Sequence, residues 1–256
     1  MLKKLKGFYL LGSSIVISIL YLPFAFAKSA YTMAYPPVAS TTEQSGENLL
    51  PPPPMPAPAP KPAMPSAYDS LQLEVKGLSE EAYEYAKKGF NKLVETGRLV
   101  NDSIISIVDF TQSSAKKRLF ILDLKHYKIL FNTFVAHGRN TGQEWATSFS
   151  NQPSSYKSSP GFYVTGETYS GNHGLSLKLD GVERGINDRA RDRAIVLHGA
   201  QYVNDAWVNM RGYIGRSEGC PAVPENLSAP IINQIKNGTC LFIYHPSYIN
   251  RSSLLK

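Results

Sequence analysis

Residues 28–67 decide where this chain can fold and where it cannot. The segment carries Pro36-Pro37, the run Pro51 to Pro54, and then alternating Pro and Ala up to Pro65. Proline fixes φ and offers no backbone N–H, so such a stretch favours extended polyproline conformation and builds no core. It reads as a spacer. Folding is expected from Tyr68 onward, over residues 68–256, a length of about 190 residues that suits one domain. The chain is 43% hydrophobic, which is enough to give that domain a core.

Upstream of the spacer, Lys3, Lys4 and Lys6 precede an apolar run from about Phe8 to Phe26, and the run closes on Ala25-Phe26-Ala27. A positive start, an apolar stretch and a small-x-small ending predict a secretory signal peptide over residues 1–27, cut after Ala27. An uncleaved anchor is the alternative reading, and would be the one membrane contact. Either way the remainder is expected outside the cytoplasm, in the periplasm or the cell wall. Three lysines and no acids fall in residues 1–27, so +4 of the formal +7 charge stays with the rest. That excess is modest and contains no run of Lys and Arg, which argues against nucleic-acid binding. The two cysteines have unlike settings. Cys240 lies in Thr239-Cys240-Leu241-Phe242-Ile243-Tyr244, an apolar strand pattern that predicts core packing. Cys220 lies in a polar turn beside Gly219, and both are expected free.

Past Tyr68 the pattern predicts a fold that is mainly β with a few helices, the first of them N-terminal. Ser79 is placed to cap a helix running from Glu80 toward Glu95 and stopped by Gly97. Short β-branched or apolar runs follow at 104–108, 118–124, 129–135, 161–165, 175–179 and 194–197, and the last strand is expected at 240–244. The second and third runs read as one hairpin, the fourth and fifth as another. A short helix is expected over 204–210 and a further one from Pro224-Glu225 through Ile235.

Chemistry concentrates in two places. Ala194-Ile195-Val196-Leu197 reads as a buried strand that ends at His198-Gly199. Ser217-Glu218-Gly219-Cys220 reads as a glycine-bearing turn. A thiol near an imidazole can lose its proton to it, and the thiolate is the nucleophile. The backbone N–H groups of Gly219 and Cys220 are candidates for stabilising an oxyanion. Glu218, adjacent to the cysteine, would by itself raise the thiol pKa. A structural thiol with a packed histidine is the alternative on these residues alone. His173, between Gly171 and Gly174, is in a loop or lid setting from which it can meet substrate. Tyr163 is a further candidate for the cleft wall, and Arg216 suits a carboxylate because guanidinium binds carboxylate bidentately. No cluster has metal-ligand spacing, and no cofactor is expected.

Ala194 to Gly199, followed by Gly215-Arg216-Ser217-Glu218-Gly219-Cys220-Pro221, resembles the YkuD-type L,D-transpeptidases, and more closely the murein L,D-transpeptidase catalytic domain family. His137-Gly138-Arg139-Asn140-Thr141-Gly142, Phe149-Ser150-Asn151, Ser159 to Tyr169 and Gly171 to Leu177 extend the resemblance to about residues 100–245. It implies a YkuD-like β-sandwich or barrel and an exported enzyme of peptidoglycan stem peptides. It further implies that Cys220 attacks the bond after the diamino acid of a tetrapeptide stem, releases D-alanine through a thioester and passes the acyl group to an amine in a 3→3 cross-link. His198 would be the base, Gly199 would help orient it, and Ser217 and Gly219 would shape the turn. A carboxypeptidase or endopeptidase of the same fold, and a wall-binding module without catalysis, are the other readings. The chain departs from the commoner pattern in three ways: Glu218 stands where a histidine precedes the cysteine by two, Pro221-Ala222 follow where an Arg or Asn is usual, and the 18 residues between His198 and Ser217 are slightly more than usual. Oligomeric state is left open.

Overall fold

A computed structural model describes residues 66–256. The signal segment and nearly all of the proline-rich spacer lie outside the described residues. The described residues open on the last two positions assigned to the spacer, where Ser66 caps a single helical turn, α1 (Ala67–Ser70). Residues 71–77 after it form a series of turns. Helix α2 (Glu80–Glu95) follows as expected. Ser79 Oγ accepts from the Ala82 N–H and donates to Asp109 Oδ2, so the cap that starts the helix also ties it to the sheet. Gly97 follows the C-cap with φ of +65°, the left-handed end that glycine favours.

The rest is one eight-stranded sheet: β1 (Ile104–Asp109), β2 (Leu119–Asp123), β3 (Lys128–Thr133), β4 (Gly161–Gly171), β5 (Gly174–Gly181), β6 (Val196–Ala200), β7 (Ala222–Pro224) and β8 (Cys240–Tyr244). Their order is β3-β2-β1-β8-β4-β5-β6-β7. The pairs β1/β8 and β6/β7 are parallel and the others antiparallel. Just past β3, Ala136 bridges Ala222 of β7, which brings the two ends of the sheet together into a nearly closed barrel.

Side chains alternate between the faces of a strand, and here both faces are covered. Ile105 and Ile107, Phe120 and Leu122, Phe242 and Tyr244 pack on one side with Ala82, Tyr83, Ala86, Phe90 and Leu93 of α2. Ile104 and Val108, Leu119 and Ile121, Leu241 and Ile243 pack on the other, with Ile231, Ile232 and Ile235 of α4 (Glu225–Ile235). Double coverage is why these strands read as continuous apolar runs. Cys240 is fully buried among the α2-side residues, and both cysteines are free. A short α3 (Asp205–Arg211) and a final turn, α5 (Pro246–Ile249), complete the fold.

Two strands differ from expectation in ways that shape the site. The β4–β5 hairpin runs on to a two-residue tip at Asn172-His173, well beyond Thr165, because a bulge between Thr165 and Thr168 carries the pairing past Gly166. Strand β6 does not end at His198 but includes His198 and Gly199. Parallel pairing with β7 extends it, with His198 opposite Ala222 and Gly199 opposite Val223.

Candidate active site

The turn that carries Cys220 is held at each step. The Ser217 N–H donates to the His137 carbonyl at 2.9 Å, and the Arg139 N–H donates to the Ser217 carbonyl at 2.7 Å. Ser217 Oγ donates to the Cys220 carbonyl at 2.6 Å and accepts from the Gly219 N–H at 3.1 Å. Gly219 has φ of +127°, a conformation that penalises a side chain, and a Cβ there would lie 2.9 Å from the Lys157 carbonyl. Buried Ser158 donates from its hydroxyl to the Gly219 carbonyl at 3.1 Å. A trans peptide points its N–H opposite to its C=O, so the Cys220 N–H faces away from Ser158, and among the described residues it meets no acceptor. Of the two N–H groups expected as candidate oxyanion donors, one is already engaged within the turn. Gly219 gives its N–H to Ser217, because the side chain that shapes the turn uses it.

The thiol itself is partly buried. Sγ accepts from the Val196 N–H at 3.4 Å and lies 3.7 Å from the Ala194 carbonyl, to which it donates. Burial pushes the thiol pKa up and Glu218 adds to this, while the Val196 N–H and Arg193 pull it down. Glu218 itself is exposed and leans toward Arg139, 3.5 Å away.

His198 enters the same cleft from β6. Its Nδ1–H donates to the Gly199 carbonyl at 2.9 Å, which fixes the tautomer and leaves Nε2 the unprotonated, basic nitrogen. Gly199 must lack a side chain, since a Cβ would lie 2.7 Å from Ser228 Oγ of α4. His173, at the hairpin tip, stacks on His198 with centroids 4.3 Å apart and an interplanar angle of 21°. Burial lowers the His198 pKa, the hydrogen bond to Gly199 raises it, and His173 lowers it further; the net direction is down. Burial thus moves the two groups in opposite directions, the thiol up and the imidazole down, and each shift favours the uncharged form.

A cleft of about 690 Å³ joins these groups, lined by Cys220, His198, His173, Ser217 and Arg216 among the expected residues. Arg216 is held by the carbonyls of Arg139 and Gly142, each at 3.3 Å. Tyr163 is a correction: it is fully buried in the inner core, and its hydroxyl donates to the Ser159 carbonyl at 2.8 Å. It sits on a strand covered on both faces, so its ring has no route to the cleft. The cleft also has walls that sequence reasoning missed: Arg139 over the Tyr156 ring at 3.9 Å, Tyr202 and Arg193. Arg139 lies inside a stretch already marked by resemblance. Arg193 had no such signal, being one of four arginines between Arg184 and Arg193.

The YkuD_2 family model, described as the L,D-transpeptidase catalytic domain, matches residues 74–244. The chain belongs to this family. Its match spans all eight strands and both halves of the cleft, from Arg139 through Cys220. No curated protein matches the chain. Among solved structures it is similar to an L,D-transpeptidase from Mycobacterium smegmatis (10% identity, 56% of this chain and 59% of that one, TM-score 0.35). It is similar also to L,D-transpeptidase 3 from Mycobacterium tuberculosis (11%, 56% and 61%, TM-score 0.34). A third is the helical cell shape determining protein Pgp2 from Campylobacter jejuni (15%, 56% and 48%, TM-score 0.38). The chain thus spans between 48% and 61% of the length of these proteins. As an L,D-transpeptidase-family domain it keeps a cysteine and a histidine in one cleft and carries an arginine-paired glutamate beside the cysteine. Among the described residues there is no group of three or more potential metal ligands, and no helix is long and apolar enough to cross a membrane.

Proposed function

We propose that residues 68–256 form an exported cysteine acyltransferase acting on peptidoglycan stem peptides, delivered by a signal over residues 1–27 and carried on the spacer at 28–67. The observation that carries this reading is the fixed tautomer of His198, whose free Nε2 shares a cleft with the Cys220 thiol. In the first step the Sγ proton passes to His198 Nε2 while sulfur attacks the diamino acid's own carbonyl, the one joined to the D-alanine nitrogen. The Cys220 N–H, left without an acceptor among the described residues, meets the developing oxyanion. Collapse breaks the C–N bond, and the departing D-alanine amine takes the proton back from His198. An amine of a second stem then gives its proton to His198 and attacks the thioester. A 3→3 amide forms and the thiolate, reprotonated, returns to rest. Arg216, whose Nε and Nη2 donors have no partner among the described residues, is the group best suited to a stem carboxylate. His173 closes over the base from the hairpin tip.

The test is incubation of the protein with muropeptides bearing tetrapeptide stems, followed by mass spectrometry. Stem dimers and free D-alanine are expected, and both should vanish in Cys220→Ala. D-alanine without dimers would make the enzyme a hydrolase with water as acceptor. Binding without any product, or a Cys220→Ala protein as active as the original, would end the nucleophile assignment. A carbapenem should add its mass to Cys220, a faster version of the same experiment.

A further inference from the structure

Arg193 stands five residues before His198, on the segment entering β6, and lines the cleft with Cys220. Its terminal nitrogens are fully committed. Nη1 donates to the Ser150 carbonyl at 2.8 Å and to Ser159 Oγ at 2.7 Å; Nη2 donates to Ser155 Oγ at 3.2 Å and to the Lys157 carbonyl at 2.6 Å. A guanidinium has five N–H donors, four of them on these two nitrogens, and in proteins it stays charged. All four meet neutral oxygens, so no fork remains for a substrate carboxylate. Among the described residues no carboxylate pairs with it either. A half-buried, permanently charged group has been anchored without a counter-ion, which is costly unless the charge serves something.

What it faces is the nucleophile turn. A Cβ built on Gly219 would come within 3.4 Å of Arg193 Nη2, and within 2.9 Å of the Lys157 carbonyl that the same Nη2 holds. The other titratable groups around the thiol do not supply that charge. His198 is buried with His173 stacked on it and its pKa is lowered, Tyr202 is a phenol pushed up to about 12 by burial, and Glu218 is an acid. Arg139 leans to Glu218, and Arg216 to two carbonyls at the cleft rim.

We propose that Arg193 is a fixed cation that favours the Cys220 thiolate as the Sγ proton leaves for His198, offsetting Glu218, which stands where the commoner pattern has a histidine. The inference deepens the reading above, since it takes Cys220 as the nucleophile. Arg193 itself exchanges no proton and binds no substrate atom.

The experiment is the pH dependence of Cys220 alkylation by iodoacetamide in the full chain, with Cys240 sequestered in the core. It needs no wall substrate, so its outcome is separate from that of the muropeptide assay. Arg193→Gln should move the alkylation midpoint to higher pH and slow alkylation at pH 7 by about tenfold. Ser155→Asp, which sets a carboxylate on Nη2 and neutralises the charge while leaving Arg193 in place, should act in the same direction. Ser155→Ala, which loosens the same loop and keeps the charge, should leave the midpoint where it is. If Arg193→Gln does not fold, Ser155→Asp decides. An unmoved midpoint in Ser155→Asp, or an equal shift in Ser155→Ala, would reduce Arg193 to a loop anchor and overturn the proposal.

Discussion

His137 and His198 are built alike and differ in one contact. Each precedes a glycine, and each flanks the nucleophile turn, His137 through its carbonyl to the Ser217 N–H and His198 through its N–H to the Pro221 carbonyl at 3.4 Å. Their exposures, 0% and 3%, do not distinguish them. Each ring puts one nitrogen on a backbone carbonyl: His137 Nε2 on Gly142 at 3.3 Å, His198 Nδ1 on Gly199 at 2.9 Å. The second nitrogen separates them. His137 Nδ1 accepts from buried Arg118 Nη2 at 2.8 Å, while among the described residues His198 Nε2 has no partner. One ring is closed on both sides and becomes scaffold; the other keeps a basic nitrogen for the cleft. Burial of a histidine is therefore a weak guide to its role, and the partner of its second nitrogen a strong one.

The largest expected difference between the two is kinetic. His198→Gln should lower kcat/KM for stem peptides by about 10²–10⁴-fold, the usual contribution of a positioned base. His137→Gln, which keeps a polar group at each contact, should remain within about tenfold of the parent because it serves only the turn's geometry. Steady-state assays on the two proteins side by side would break the comparison if His137→Gln were the more damaged.

Acid stability should reverse the ranking. Burial first and Arg118 second push the His137 pKa down to about 3. The unfolded chain takes that proton near pH 6.5 and the folded one does not, so between pH 6.5 and 3 the unfolded state binds more protons and stability falls as pH falls. At pH 4.5 the loss from this one ring is on the order of 3 kcal/mol. His137→Gln removes it. Urea denaturation at pH 7 and pH 4.5 should show the variant losing less stability on acidification than the parent by about that amount. Identical losses would mean that burial and the Arg118 contact together do not hold His137 neutral in the folded state.

Much of this was open to sequence reasoning, and the failures share a cause. The strands at 104–108, 119–123 and 240–244 were legible because short, continuous β-branched and apolar runs, buried on both faces, leave few alternatives. Cys220, His198, Ser217, Arg216 and His173 were legible as residue types in a spacing, and they do line one cleft. What was hidden depends on pairing partners distant in sequence. The extension of β6 through Gly199 needs β7, whose Ala222-Val223-Pro224 is three residues long and reads as the approach to a helix. Tyr163 looks like a cleft aromatic until both faces of β4 are covered. Arg193 is told from Arg189 and Arg191 by where its loop folds, and Arg191 goes instead to Glu167 and Asp180 at the surface.

A smaller effect sharpens the comparison at the turn that the two histidines share. Ser158 accepts from the Gly138 N–H at 3.0 Å and donates to the Gly219 carbonyl, so it joins the His137 side to the peptide whose N–H is proposed to meet the oxyanion. Ser158→Ala should cost about 1–3 kcal/mol of stability, because two buried backbone groups lose a partner. It should lower kcat about tenfold with KM nearly unchanged, as expected for loss of an orientation that matters in the transition state. A fall in stability with kcat intact would confine Ser158 to scaffold, with His137.

The smallest effect concerns what rests on the open histidine. His198 titrates low first because it is buried, and His173 adds to this through its own charge when protonated. A base must be unprotonated to work, so activity should rise with pH along a limb that lies below the ordinary imidazole value of about 6.5. His173→Phe keeps a ring against His198 and removes the second charge, so the limb should move up toward that value. At pH 7 His198 is already neutral in both proteins, and the rate there should change by less than about threefold. A limb that stays in place would leave burial as the whole cause of the low pKa and reduce His173 to a packing lid. A large loss at pH 7 with the limb unmoved would instead mean that the hairpin tip contacts substrate directly, and that the open nitrogen of His198 works beside a second functional imidazole.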